Sequence, residues 1–198
     1  MVAPRSALFD AHAPQGFYTA GVGELISRIY QHYRFVPRSL AENDPGLKQI
    51  IPYAVVTRNR GVFVLRRFNN QDESQLRDKY SLGVGGHVNP LPFMSTGMVE
   101  KGLRRELNEE IFIPDDYRAR LVGFINDDSN AVGSVHLGIV YHITTASQAV
   151  KVRETELMSG EFRSPADLAR LRPKMETWSQ LLADNIELFL KIAEKMTA

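Results

Sequence analysis

The stretch Val99-Glu100-Lys101-Gly102-Leu103-Arg104-Arg105-Glu106-Leu107-Asn108-Glu109-Glu110-Ile111 reads as an amphipathic helix. At ~100° per residue, Val99, Leu103, Leu107 and Ile111 fall on one apolar face. Glu106, Glu109 and Glu110 stand at i, i+3 and i+4 and crowd a neighbouring arc. Like charges at these spacings repel by roughly 0.2–0.5 kcal/mol per pair. They also lie toward the helix C-terminus, where the backbone dipole disfavours anions. Something must compensate. Pairing with Arg104, Arg105 or Lys101 on a solvated face would do so. A divalent cation would do so as well, since Mg²⁺ takes oxygen ligands and typically accepts one or two carboxylates plus substrate phosphate oxygens.

Outward from this helix, the chain alternates strand and helix signals. Upstream, Ile50–Thr57 and Val62–Arg67 are β-rich runs around the turn-like Arg58-Asn59-Arg60-Gly61, which predicts a hairpin. A polar segment, 69–78, leads to a short strand over Lys79–Val84 that runs into Gly85-Gly86-His87-Val88. The helix pattern spans about Thr96 to Ile111. Downstream, Ala119–Asn126 and Ser134–Ile143 read as strands. Ser164-Pro165 reads as an N-cap followed by proline at the first helical position. A last helix is expected over Met175–Lys195, with Trp178, Leu181, Leu182, Ile186, Phe189, Leu190 and Ile192 as a core stripe. Near the N-terminus, residues 1–20 read as loose, Val22–Phe35 as helical, and Pro37–Gly46 as a loop. The order predicts an α/β sandwich with a mixed β-sheet. The expected organisation is an N-terminal extension with one helix (residues 1–49) and a main domain (residues 50–198) that includes the C-terminal helix.

The combination of Gly85-Gly86 after a strand with Arg105-Glu106-Leu107-Asn108-Glu109-Glu110 resembles the Nudix hydrolase family, the MutT-like phosphohydrolases. The family's box runs Gly, five residues, Glu, seven residues, then Arg-Glu-apolar-x-Glu-Glu-x-Gly-apolar. Gly86 matches the opening glycine, and Arg105–Ile113 matches the second half except at one position. The resemblance covers roughly residues 50–170. There are two departures. Gly86 and Arg105 stand 19 positions apart where the box has 14, which implies a five-residue insertion within 89–97. Neither register puts an acid at the box's first glutamate, and Glu100 is the nearest substitute. Phe112 also replaces the late glycine, so Pro114 is the expected stop for the helix.

The resemblance implies a Nudix-type α/β/α sandwich and a phosphohydrolase or pyrophosphatase acting on acid anhydrides. The expected reaction is Mg²⁺-dependent (Mn²⁺ as the alternative ion) cleavage of a diphosphate in a nucleoside diphosphate linked to another moiety. It implies Glu106, Glu109 and Glu110 as metal ligands, with the Gly85 carbonyl as a further one. Arg105 would orient a glutamate through a charge-assisted hydrogen bond, and Glu109 is a candidate proton acceptor. In such enzymes one more carboxylate often comes from a later loop. Ser159-Gly160-Glu161-Phe162 fits that pattern, with Gly160 allowing a sharp turn and Glu161 as catalytic base or outer ligand; Glu154 and Glu156 compete with it. A homodimer is the expected assembly. A non-catalytic Nudix-fold sensor or binding module is the alternative. Isopentenyl-diphosphate isomerases, which are related, rely on a cysteine.

There is no cysteine in the chain, which excludes disulfides, a thiolate nucleophile and a cysteine zinc site. Its 24 basic and 23 acidic residues give a net charge of +1, so no nucleic-acid polymer is expected as partner. Residues are 43% hydrophobic, enough for a sizeable core, yet no window approaches the ~20 apolar residues of a spanning helix. Pro4, Arg5 and Asp10 interrupt any signal-peptide core. The expectation is a cytoplasmic protein that does not engage a membrane and takes a small diphosphate substrate. For that substrate, His87 and His136 are candidate contacts, the latter sharing a strand face with His142. Of Arg66 and Arg67, alternation lets only one face the site. Asp127-Asp128-Ser129-Asn130 reads as a strand-connecting turn.

Overall fold

A computed structural model describes residues 1–10, 12–68, 79–90, 97–114, 117–153 and 155–195. Among them the elements run β1 (Val2–Pro4), α1 (Arg5–Leu8), β2 (Gly16–Tyr18), α2 (Val22–His32), α3 (Arg38–Ala41), β3 (Leu47–Arg58) and β4 (Gly61–Arg67). There follow β5 (Tyr80–Ser81), β6 (Val84–Gly85), α4 (Met98–Glu110), β7 (Ile111–Phe112), β8 (Arg118–Asn126), α5 (Ala131–Ser134) and β9 (His136–Thr144). The chain closes with β10 (Lys151–Val152), β11 (Met158–Arg163), α6 (Pro165–Leu171), a 3₁₀ turn at Arg172–Lys174, α7 (Thr177–Asp184) and α8 (Ile186–Lys195).

The main sheet has the order β11-β4-β3-β9-β8-β2, with β1 and β6 also on β3 and β5 on β4; β7 and β10 form a separate ladder. Strand β3 is buried along almost its whole length, as a central strand covered on both faces must be. Its hairpin with β4 turns at Asn59, whose φ of +53° is the left-handed value that asparagine tolerates.

The chain divides into two compact units. One comprises Met1–Tyr53, Gly85–Arg104 and Gly123–Val140; the other comprises Ala54–Val84, Arg105–Val122 and Tyr141–Ala198. The expected boundary between residues 49 and 50 falls within β3. In the first unit, β1 pairs with β3 and β2 with β8, so Val2–Pro4 and Gly16–Tyr18 are sheet strands rather than loose chain. Residues 37–46 likewise hold the short helix α3.

In the second unit β11 lies antiparallel to β4, and α6 begins with a capping box: the Ser164 hydroxyl accepts from the Asp167 amide while the Asp167 carboxylate accepts from the Ser164 amide. The single last helix of the sequence reading is two helices. Glu176 caps α7 by accepting the Trp178 and Ser179 amides, and the chain breaks at Asn185, whose side-chain amide takes the Leu181 carbonyl. The predicted strand from Ser134 begins two residues later, because Asn130 caps the turn α5 through the Gly133 amide.

Candidate active site

Helix α4 forms as its periodicity predicts: Val99, Leu103, Leu107 and the following Ile111 are each no more than 3% exposed. Its C-terminus explains the missing family glycine. The backbone leaves the helix at Glu110 and enters β7 directly, and the Arg153 amide donates to the Glu110 carbonyl at 2.9 Å. Pairing of β7 with β10 holds this exit. No left-handed residue is needed, and Pro114 plays no part in stopping the helix.

The three glutamates at that end differ in surroundings. The side chains of Glu106 and Glu110 are 13% and 18% exposed, whereas Glu109 is 57% exposed. Arg105 serves two of them: its Nη2 donates to Glu106 Oε1 at 2.5 Å, and its Nη1 reaches Glu109 Oε2 at 3.2 Å. The third is met from the sheet, where Arg67 Nη2 donates to Glu110 Oε2 at 3.1 Å. Burial pushes the Glu106 carboxyl pKa up, the Arg105 charge opposes that, and the Glu109 charge adds to it. A carboxylate made more basic in this way is a better proton acceptor.

Among the described residues, no three His, Asp or Glu side chains stand together in a group that could hold a metal ion; each of these carboxylates is ion-paired with an arginine. The donor chemistry nonetheless fits a hard divalent cation: two shielded carboxylates one helical turn apart, with a third beside them.

The remaining candidates are distributed as follows. Arg67 is the arginine that faces α4. Arg66 points to the other face of β4, over the rings of Phe68 and Tyr80. Glu161 pairs in register with Val64, three positions from Arg67, and alternation therefore sets it on the face opposite Arg67. It is exposed and ion-paired with Arg163. Gly160 makes no sharp turn. It lies within β11, where a Cβ would stand 2.5 and 2.6 Å from the Phe63 ring, so the residue is glycine for close approach. Glu156 is exposed, while Glu154 and most of the inserted loop, 91–96, lie outside the described residues.

Gly85, His87 and His136 belong to the first unit. A Cβ at Gly85 would meet Tyr53 Cδ2 at 3.0 Å, and Ile51 Cγ2 and the Pro52 carbonyl at 3.1 Å, so β6 requires glycine to lie against β3. His87 and His136 stand together, with Nε2 atoms 3.4 Å apart. Burial lowers the pKa of both, that of His87 to about 4. His142 is instead a core residue of the second unit: its Nε2 is 2.5 Å from Thr57 Oγ1 and its ring packs edge-on against Phe189.

One constellation was missed in the sequence. Lys48 is fully buried, and its ammonium donates to Asp128 Oδ1 at 2.7 Å and to the carbonyls of Gly133 and His136. Asp128 also takes Arg5 through both carboxylate oxygens. The signal was a lone lysine inside the apolar run that begins at Leu47, since such a charge demands a partner.

Comparison with known proteins agrees with this geometry. No protein-family model matches the chain. It is 36% identical over 198 residues to protein YmaB of Bacillus subtilis (strain 168), a match covering 94% of this chain and 96% of that one. Among solved structures, Tm1382, a candidate Nudix hydrolase, superposes with a TM-score of 0.76 at 29% identity, covering 92% of this chain and 94% of its own. The chain belongs to the Nudix hydrolase family. The Nudix domain of Shewanella oneidensis NrtR, solved with ADP ribose, shares the fold at 14% identity with a TM-score of 0.54, covering 83% of this chain and 97% of that one. In this Nudix chain, then, the box helix is α4 and its carboxylates are those that Arg105 and Arg67 hold.

Proposed function

We propose that this Nudix hydrolase cleaves the diphosphate of a nucleoside diphosphate linked to a second group, with Mg²⁺ or Mn²⁺ bound at the C-terminal end of α4. The observation that carries the proposal is the pair Glu106 and Glu110, both shielded from solvent, one turn apart and each held by an arginine. These two side chains, with Glu109 at the rim, would be the ligands. A cation held there would neutralise diphosphate charge and lower the pKa of an attacking water. Glu109, at the rim and held by Arg105, would accept the proton of that water. Arg105 supplies a positive charge beside the carboxylates throughout. Arg67 would steady Glu110 beside the cation as its outer-shell partner. The exposed Glu161, on the other face of the sheet, is not required by this scheme.

The test is phosphate or nucleotide release from a panel of nucleotide sugars and dinucleotides, with and without Mg²⁺. ADP-ribose comes first in the panel because the NrtR Nudix domain was solved with it. Metal-dependent turnover of at least one member is the expected outcome. Saturable binding with no turnover of any member, in Mg²⁺ or Mn²⁺, would instead make the chain a non-catalytic binding module.

A further inference from the structure

We propose that Phe112, Lys151 and Arg153 form a nucleoside-binding platform, on which the base of the substrate stacks against the Phe112 ring. The platform serves the diphosphate-cleaving site proposed at α4 and rests on that reading. In the β7–β10 ladder Phe112 stands opposite Lys151, and Ile111 opposite Val152. Ile111 and Val152 are buried, so alternation turns Phe112, Lys151 and Arg153 to the outer face. There Phe112 is 41% exposed, and both cations are exposed as well. The Arg153 guanidinium lies over the Phe112 ring, 5.4 Å from its centroid. A half-open ring held beside a guanidinium is a stacking surface for a nucleobase, because every base has a π-face and arginine planes stack on aromatic systems.

Its place in the chain ties this face to the carboxylates. Phe112 occupies the position of the family's late glycine, two residues beyond Glu110, and the Arg153 amide donates to the Glu110 carbonyl at 2.9 Å. Two residues span at most ~7 Å of chain, so a base on Phe112 lies within reach of a diphosphate at the end of α4. Burial of the ladder is carried by Ile111 and Val152, and folding does not call for an aromatic side chain on its outer side. The two flanking cations suit a phosphorylated ligand, since they add positive charge where an uncharged aromatic would need the ring alone.

The platform is tested on the full chain without metal, by calorimetric titration with AMP, GMP, CMP and UMP against ribose 5-phosphate. At least one nucleotide should bind about tenfold tighter than the sugar phosphate, within the range of one base–aromatic stack. Phe112→Leu, which keeps an apolar side chain but no ring, should abolish that preference, and Phe112→Trp should keep it. Lys151→Met/Arg153→Met should weaken nucleotide binding. In nuclear magnetic resonance of the wild-type chain, base protons should show Overhauser contacts to the Phe112 ring, a readout that needs no variant to fold. Equal affinity for nucleotides and ribose 5-phosphate, a preference that survives in Phe112→Leu, undiminished affinity in the double cation variant, or base protons without contact to Phe112 would overturn the platform. Neither metal nor turnover enters these measurements, so a substrate panel without hydrolysis would sink the catalytic reading and leave the binding result to stand by itself.

Discussion

Arg67 reaches Glu110 from the end of β4 with a side chain 30% exposed, against 18% for the carboxylate. An ion pair this open stabilises the fold by at most about 1 kcal/mol, and under the proposed function it serves to steady Glu110 beside the cation. Arg67→Met should leave the urea midpoint nearly unchanged and lower Mg²⁺ affinity or kcat/KM by ~10–100-fold, as loss of an outer-shell partner does. A large stability loss with unaltered kinetics would show the pair to be structural. Asp128 is the opposite case. Removing it strands the fully buried Lys48, so Asp128→Ala should cost about 3–5 kcal/mol in chemical denaturation, while Arg5→Ala, at a partly exposed position, costs much less. The hydrogen bond from Arg5, with those from Lys48 and Gln15, holds the Asp128 carboxyl well below the usual carboxylate range. This stability is complete above about pH 4 and is lost as pH falls through the lower folded value. His142 acts at milder acidity. Burial, with the Arg120 charge second, lowers its pKa from 6.5 to about 4, so the unfolded chain takes up a proton first and stability declines as pH drops from 6.5 toward 4. In His142→Gln the slope of Tm against pH across that window should flatten, with His87 retaining part of it.

Helix α4 and the β3–β4 hairpin were legible because their signals are local: a 3.6-residue apolar period in one, and two β-rich runs around Asn59 in the other. Two- and three-residue strands carry no period, which is why β1, β2, β7 and β10 were invisible and why Pro114 was credited with a stop that β7 supplies. The surroundings of Glu161 escaped the sequence for a related reason. Its neighbour Gly160 was read as a turn residue, whereas the tight partner is Phe63, a residue distant in sequence. Gly160→Ala would drive a methyl into that ring, and overpacking of this kind typically costs about 1–3 kcal/mol. A thermal midpoint equal to wild type would contradict the placement of β11 on β4. The Arg105–Glu110 cluster could be read from spacing alone, but not that Arg67 holds Glu110, because which arginine of a strand faces a helix is settled only by register.

Residues 1–49, expected to be an N-terminal extension, include β1 and β2 of the main sheet, and the charges that fasten them, Arg5 and Lys48, lie 123 and 80 residues from their partner Asp128. A partnership between residues so far apart leaves no local trace, so the architecture of the first unit could not be read as the box could. Among the described residues no helix is long and apolar enough to cross a membrane. Mn²⁺ binding followed by electron paramagnetic resonance tests most directly the proposal that α4 seats a divalent cation. The wild-type chain should bind Mn²⁺ in competition with Mg²⁺, and Glu106→Gln/Glu110→Gln should lose that binding while unfolding at the wild-type temperature within a few degrees. Wild-type Mn²⁺ affinity in the folded double variant would contradict it.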